Sequence, residues 1–305
     1  MIADVHGLAV SHDTELDDDP LTPFFSAFPA VVRAPEVVVR VRRATPTRPA
    51  GRPLYFLGAV QVYAEPDGYS LFDGDARGDV SAEGGQVSVA APCAPQPFLG
   101  GLMHAALLLA LRLRGWVELH AAGLMLGERA ALLVGDAGVG KTTALFSCVE
   151  RGARFLSDDR VLLRGPDRVL AYPREAHLAA ATVAALPSLR DVPLAGPVLG
   201  GKRRGDVRAR WPERFVASSP RPAALVFPRL ASEPTRLLPL APADALGGLI
   251  EASALVAVAE VPLATENLAL LARLADAVPA WSLELGPDAL RDPGVVHAAV
   301  SRAAS

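Results

Sequence analysis

Cysteine and net charge are both scarce in this chain of 305 residues. The two cysteines, Cys93 and Cys148, stand far apart in the sequence, so they do not form a metal-type cluster. A net charge of −3 gives no reason to expect nucleic acid as a partner. The low cysteine content is typical of a protein from a reducing compartment, so we expect a cytoplasmic location.

The sequence also lacks a secretion signal and a long apolar run. Acidic side chains, from Asp4 to Asp19, occupy the N-terminus where a signal peptide needs a basic start and an apolar core. The most apolar stretch, residues 98–111, is too short to span a membrane, contains His104 and is followed by a glycine stop at Gly115. We therefore expect a buried helix here and no membrane partner. The apolar fraction of 51% argues against disorder.

Turn-forming residues divide the first third of the chain into short segments. Residues 1–30 show no clear period and are predicted to be irregular, whereas residues 36–43 alternate as a strand does. Further short strands are predicted at 54–63, 69–72 and 86–90, separated by turn chemistry in which Asp73 and Asp75 are turn residues and not metal ligands. The sequence predicts a small antiparallel β domain over residues 1–95. A proline-rich connector at 91–97 separates it from a second domain over residues 96–305.

The most informative stretch is a phosphate-binding loop at residues 135–142. The pattern GxxxxGK[ST] follows an apolar strand at 131–134 and precedes a helical segment closed by Gly152. Glycines allow the backbone to turn and approach a ligand, and the N–H groups of such a loop converge on phosphate oxygens. We expect nucleotide binding by the loop and the start of its helix, that is by Gly135, Asp136, Ala137, Gly138, Val139, Gly140, Lys141, Thr142 and Thr143. Lys141 reaches the β- and γ-phosphates of ATP, and the Thr142 hydroxyl is suited to Mg²⁺.

Three further polar residues lie near this loop in the predicted topology. A strand at 116–126 turns back through residues 127–129 into the loop strand, which places His120 beside the nucleotide; a lone strand histidine is as often structural. Asp158 and Asp159 interrupt the next apolar strand, at 154–164, where phosphate-loop proteins present an acid to Mg²⁺. A turn or cap role is the alternative for this pair. The functional interpretation is favoured because adjacent acids beside an apolar strand are costly unless used.

Three separate elements now resemble one family. His120-Ala-Ala-Gly, residues 135–142 and the run Arg151-Gly-Ala-Arg-Phe-Leu-Ser-Asp-Asp-Arg-Val161 resemble the core of the HPr kinase/phosphorylase family. The resemblance implies an α/β phosphoenolpyruvate-carboxykinase-like kinase core with a mixed sheet, ATP and Mg²⁺ as cofactors, and a homo-oligomer. It also implies Asp158 as the base that deprotonates the acceptor hydroxyl, His120 close to that base, and Asp159 at the metal.

Two departures bear on the acceptor. Thr143 stands where the bifunctional enzymes have glutamate, and residues 173–178 replace their Glu-Ile-Arg-Gly signature. Both argue against HPr as substrate and against reverse phosphorolysis. The layout is similar to shorter relatives that phosphorylate a lasso-peptide precursor, so we expect an ATP-dependent kinase whose catalytic residues are Asp158, His120 and Lys141, acting on a serine of a peptide or protein. A kinase of a small-molecule alcohol, and a nucleotide-binding regulatory or scaffold protein without phosphotransfer, are the alternatives.

The last third contains a basic segment at 202–214, around Trp211. It is either a solvated charged face or a loop that neutralises phosphate or an acidic acceptor. Strands are predicted at 221–230 and 281–285, and helices at 242–252 and 265–277, the latter with Leu268, Leu271 and Leu274 on one face.

Overall fold

The computed structural model describes residues 1–92, 99–199, 201–217, 220–253 and 261–305. The chain divides into two compact units, one comprising Met1–Val117 and Leu255–Asn267 and the other Glu118–Ala254 and Leu268–Ser305. Cys93 and most of the predicted connector lie outside the described residues. The other cysteine, Cys148, is a buried free thiol.

The first unit contains an eight-stranded sheet in the order β1-β2-β3-β8-β7-β6-β5-β4. Its strands are β1 Ile2–Val5, β2 Leu8–Thr14, β3 Val37–Arg43, β4 Tyr55–Leu57, β5 Val60–Glu65, β6 Gly68–Phe72, β7 Arg77–Ser81 and β8 Gln86–Ala91. The prediction of an antiparallel layer is wrong at two pairs, because β2 with β3 and β3 with β8 run parallel. Side-chain alternation indicates that a segment is a strand but carries no information on the direction of its neighbour.

The N-terminal segment is ordered into strands β1 and β2 and a short helix, α1 (Thr22–Phe25), instead of the irregular structure expected. Asp19 of this segment is buried and paired: its Oδ2 lies 3.1 Å from Nε2 of buried His12. Its Oδ1 accepts from the Leu21 N–H at 2.7 Å. Asp73 accepts from two backbone N–H groups of its own turn, which confirms it as a turn residue.

The apolar stretch forms helix α2 (Leu99–Leu113), almost entirely buried, as predicted. It packs against β5, β6, β7 and β8. A Cβ at Gly78 of β7 would lie 3.4 Å from the side chains of Leu102 and Ala106, so the helix passes close to this strand. Because α2 covers this sheet, the first unit extends to Val117, and the structure divides the chain later than the boundary predicted at residues 95/96.

The second unit is a mixed α/β unit around a six-stranded sheet in the order β12-β10-β11-β18-β20-β19. The strands are β10 Ala121–Leu126, β11 Arg129–Val134, β12 Arg154–Ser157, β18 Arg221–Leu230, β19 Arg236–Leu240 and β20 Ala280–Leu285. β11, β18 and β20 are parallel, and the other pairs are antiparallel. The central strands are apolar on both faces, as expected for buried parallel strands.

Two three-stranded sheets complete this unit, β14-β13-β9 and β15-β17-β16. Their strands are β9 Val117–Leu119, β13 Val161–Leu163, β14 Val169–Ala171, β15 Ala176–Ala179, β16 Leu194–Leu199 and β17 Lys202–Gly205. The remaining helices are α3 Lys141–Glu150, α4 Ala180–Ala185, α5 Val207–Arg210, α6 Pro242–Ala252, α7 Ala264–Ala277 and α8 Pro293–Ala303, with short 3₁₀ helices at Pro187–Leu189 and Pro287–Leu290.

An apolar cluster joins the sheet to α3 and α8. Within it the Phe146 and Trp211 rings stack with their centroids 5.7 Å apart. The cluster also contains Ala144 and Leu145, so α3 packs against β10 and β11 directly after the glycine loop.

The predicted hairpin β10–β11 is confirmed, as are the strands and helices predicted from 221 onward. The strand predicted at 116–126 is instead split at His120, so that β9 and β10 join different sheets. Of the three leucines assigned to one face of α7, Leu271 and Leu274 are buried whereas Leu268 is 39% exposed.

Candidate active site

The glycine loop lies between β11 and α3, as the sequence predicts. Gly135, Gly138 and Gly140 have φ values of 142°, 92° and 101°, which side-chain-bearing residues rarely adopt. A Cβ on Gly140 would collide with Leu285, whereas a Cβ on Gly138 would meet nothing within 4 Å. The loop is therefore anchored to the sheet at its end and open at its middle, where Asp136, Ala137 and Gly138 are exposed and Val139 is half-buried.

Lys141, the first residue of α3, is 6% exposed and folds back over the loop. Its Nζ donates to the carbonyl oxygens of Gly135 at 2.5 Å and Asp136 at 2.8 Å. The same Nζ lies 3.0 Å from Nε2 of His120. Burial lowers the pKa of Lys141, and the nearby carboxylates of Asp159 and Asp158 oppose that effect. The ammonium is thus fixed over the loop by three oriented acceptors.

His120 occupies the break between β9 and β10, where its backbone N–H donates to the Ala252 carbonyl at 2.9 Å. Its Nδ1 lies 3.3 Å from Oδ1 of Asp159. Because the ammonium of Lys141 can only donate, Nε2 of His120 is the acceptor of that contact, and we assign the ring proton to Nδ1, facing Asp159. Burial lowers the pKa of His120, which favours this neutral imidazole.

Asp158 and Asp159 fill the gap between β12 and β13 and have different surroundings. Asp158 is 7% exposed; its Oδ2 accepts from the His177 N–H at 3.1 Å, and its buried Oδ1 has no hydrogen-bond partner within the described part of the chain. Burial, and then the charge of Asp159, raise the pKa of Asp158 from 3.8 to about 6; the Thr142 hydroxyl and the His177 N–H act in the opposite sense.

Asp159 contacts Arg160 as well as the neutral His120. Its Oδ2 lies 3.5 Å from Nε of Arg160, and Arg160 also pairs with Glu118 of β9. The carboxylate beside His120 is therefore that of Asp159, not that of Asp158 as the family resemblance implies. Asp158 and Asp159 are consecutive residues after the end of β12, and their side chains have different neighbours.

The two threonines after Lys141 also separate. The Thr143 hydroxyl lies 2.9 Å from the Thr182 hydroxyl of α4, a contact that ties α3 to α4. Thr142 lies next to Asp158, whose pKa it lowers. Of the two, Thr142 is the one close to the acidic pair.

His177, which the sequence did not single out for the site, and Lys202, the first residue of the predicted basic segment, belong to the β15–β17 pair. His177 and Arg204 lie opposite each other in register, as do Ala179 and Lys202, while Leu178 on the other face is buried in the core. The pKa of His177 is lowered, chiefly by burial, and Lys202 lowers the pKa of Asp158. The positive charge of Lys202 therefore reaches the acidic pair.

Other basic residues of the segment make contacts elsewhere. Arg204 pairs with Glu175 at 3.3 Å, Arg210 lies over the Trp211 ring, and Arg214 pairs with Glu213 at 3.7 Å. Residues 202–214 are therefore not one functional surface. The strand that begins the segment approaches the site, and the helix that follows serves local packing.

Comparisons with known proteins add little to this description of the site. No family model and no curated protein matches the sequence. Among solved structures, the HPr(Ser) kinase/phosphatase from Coxiella burnetii matches with 12% identity and a TM-score of 0.32, over 61% of this chain and 88% of that one. A likeness of this size does not identify an activity, so the functional argument depends on the site itself.

The described residues include no helix long and apolar enough to cross a membrane. They also include no group of three or more His, Cys, Asp or Glu side chains that could hold a metal ion by themselves.

Proposed function

We propose that the protein is an ATP-dependent kinase that transfers the γ-phosphoryl group to a hydroxyl, that of a serine in a peptide or protein. The observation that carries the proposal is the buried Asp158 carboxylate, which lies next to Thr142 in the helix that follows an open glycine loop. Its Oδ1 has no hydrogen-bond partner within the described residues. A buried polar atom without a partner is rare in folded proteins and is often completed by a ligand.

The residues of the glycine loop fit a nucleoside triphosphate. The middle of the loop is open, its positive φ values suit a backbone that approaches phosphate, and Lys141 is already positioned over it. On binding, we expect Lys141 to exchange its contacts with the Gly135 and Asp136 carbonyls for phosphate oxygens. An ammonium over the transferred group stabilises the charge that develops there.

The residues also fit Mg²⁺, although the described residues include no three-ligand cluster. Mg²⁺ in phosphoryl-transfer sites keeps several waters and takes one or two protein oxygens together with the phosphates. Thr142 and Asp159 would hold it directly or through water. Bound there, it would supply positive charge that offsets the charge of the phosphates.

Asp158 is the proposed base. A pKa near 6 leaves it mostly ionised at neutral pH while making it a better proton acceptor than an ordinary aspartate. Its free Oδ1 offers the acceptor hydroxyl a place to deliver its proton. His120, whose Nδ1 lies 3.3 Å from Oδ1 of Asp159 and whose Nε2 lies 3.0 Å from Nζ of Lys141, would then hold both side chains in place as a positioning residue.

The contact between His120 and Asp159 favours a second assignment, in which Asp159 is the base and Asp158, next to Thr142, binds the metal. Mg²⁺ titrations of Asp158→Asn and Asp159→Asn separate the two. Loss of a base lowers the maximal rate by about 10²-fold or more at an unchanged Mg²⁺ requirement. Loss of a metal ligand raises the Mg²⁺ concentration needed for half-maximal rate.

The experiment uses γ-labelled ATP, purified protein and size-fractionated extract of the source organism. Label in a peptide or protein fraction that disappears with Asp158→Asn supports the proposal, and label in a small-molecule fraction changes the acceptor class. Tight ATP binding with no transfer that depends on Asp158 or Asp159 would refute the kinase and favour a nucleotide-binding regulatory protein. Asp191→Asn, which removes an exposed carboxylate of the same unit, is the matched control.

A further inference from the structure

A second recess lies at the amino ends of the parallel strands in the second unit. It has a volume of about 400 Å³, and its walls include Arg129 at the start of β11, Arg221 and Pro222 at the start of β18, Pro279 and Trp281 around the start of β20, and Arg302 in the last turn of α8. This volume falls within the range of small-molecule binding sites, about 300–1,000 Å³.

The recess concentrates positive charge. Arg129 and Arg221 are register partners on adjacent strands, so their backbones are about 5 Å apart. Neither Arg221 nor Arg302 forms an ion pair with a carboxylate among the residues that the structure describes. Arg129 donates to an oxygen of Ala304 at 3.4 Å and of Ser305, the last residue, at 3.1 Å, and Arg302 donates to the Leu237 carbonyl at 3.5 Å.

Arg221 and Arg302 therefore bring positive charge to the recess that no carboxylate of the described residues offsets. An anion in the recess would gain charge-assisted hydrogen bonds from these exposed guanidinium groups. Arginine is suited to this because its planar fork binds carboxylate or phosphate through two parallel N–H groups.

The remaining wall is apolar and carries one unsatisfied donor. Trp281, Pro222 and Pro279 supply carbon surface. The indole Nε1–H of Trp281 is buried and has no hydrogen-bond partner among the described residues. A recess with arginines on one side and an indole with two prolines on the other suits a ligand with anionic groups and a carbon framework, because one part pairs with charge and the other excludes water.

This recess is separate from the glycine loop. β11 begins with Arg129 and ends at Val134, directly before Gly135. A strand of that length places its two ends about 20 Å apart, so one ligand of small-molecule size cannot occupy both places.

We propose that this recess, hereafter the arginine pocket, binds a small organic anion with two or more carboxylate or phosphate groups. Arg129 and Arg221 reach the recess from partner positions on adjacent strands, and Arg302 reaches it from α8. The ligand spans them and lays its carbon framework on Trp281.

Calorimetric titration at constant ionic strength tests the proposal, with citrate and pyrophosphate as probes of the two anion chemistries. Each titration is repeated in a Lys141→Ala protein, which removes binding by the glycine loop. We expect at least one probe to bind, and Arg221→Gln or Arg302→Gln to weaken it by about tenfold or more, the scale of one charged hydrogen bond. Citrate alone would identify a polycarboxylate ligand, and pyrophosphate alone a phosphorylated one.

Matched variants locate the binding. Arg291→Gln removes an exposed arginine outside the pocket and should leave the affinity unchanged. Arg221→Lys keeps the charge and should retain more affinity than Arg221→Gln, which separates loss of binding from misfolding; melting curves of both check the fold. Failure of both probes to bind at millimolar concentration, or binding that is indifferent to Arg221→Gln and Arg302→Gln, would overturn the proposal.

Discussion

The carboxylate of Asp158 should lower the stability of the protein at neutral pH, so Asp158→Asn should be a stabilising change that removes activity. The pKa of Asp158 is raised from 3.8 to about 6 by burial and by Asp159. A difference of about two pKa units between folded and unfolded states corresponds to about 3 kcal/mol, at about 1.4 kcal/mol for each unit.

The sign follows from proton binding. The folded state holds the proton more tightly than the unfolded state, so ionisation destabilises the fold in full above the folded value near 6. The penalty shrinks as the pH falls below that value and is almost gone below 3.8. It amounts to about 3 kcal/mol at a pH of about 7.5 and to about half of that at a pH of about 5.

The pH dependence of the free-energy difference between wild type and Asp158→Asn is a cleaner measure than its value at one pH. Asparagine introduces an amide N–H that needs a buried partner, which costs about 1–3 kcal/mol and partly offsets the gain. This offset does not vary with pH between about 5 and 7.5, because the amide does not titrate in that range. The free-energy difference between wild type and Asp158→Asn should therefore change by about 1.5 kcal/mol over this range.

The assay is urea denaturation with EDTA present, so that no metal ion shifts the titration. Trp211 and Trp281 report on the second unit, and Trp116→Phe removes the tryptophan of the first unit from the signal. Asp191→Asn, which removes an exposed carboxylate of the same unit, is the matched control for the substitution. If Asp158→Asn and wild type keep a constant difference from a pH of about 7.5 down to about 5, the raised pKa is wrong, and the reasoning that Asp158 is a buried base fails with it.

Two other perturbations test packing in the loop and charge in the first unit. Gly140→Ala should destabilise the protein by about 2–4 kcal/mol and impair ATP binding, because its backbone has a φ of 101° and its Cβ would collide with Leu285. Gly138→Ala, with comparable φ and open space, measures the conformational part alone by the same denaturation and nucleotide titrations. For Asp19, burial raises the pKa, but the hydrogen bonds from His12 and its other donors outweigh burial and lower it. Asp19→Asn should therefore lose stability at neutral pH, and its difference from wild type should shrink as the pH falls below 3.8, a result that urea denaturation checks.

Local features of the site could be predicted from the sequence because their causes are local. Glycine spacing, an apolar run and a following helix are enough to place Lys141 over the loop, since all lie within a few residues. The β10–β11 hairpin is equally local, and it brings His120 to Lys141. The hydrogen bond between these two side chains is the direct consequence of that turn.

The neighbours of Asp158 could not be predicted in the same way. His177 reaches Asp158 through β15, and Lys202 lies in β17, the register partner of that strand; the two are separated in sequence by α4 and β16. Pairing between distant strands depends on the whole fold, which residue patterns do not encode. Nor does the sequence reveal which of two adjacent acids faces a histidine, because that depends on how the chain leaves β12.

The arrangement of charge argues for where a ligand completes the site. Lys141 is held by two carbonyls and His120, and Asp159 is held by His120 and Arg160. Groups already paired in this way gain little from a new partner, because they must first give up an existing one. Oδ1 of Asp158 is buried, adjoins a second carboxylate and has no such partner among the described residues, so it gains most from an added proton, hydroxyl or metal ion. The reacting group of a substrate should therefore be sought at Asp158, between Thr142 and the backbone of His177.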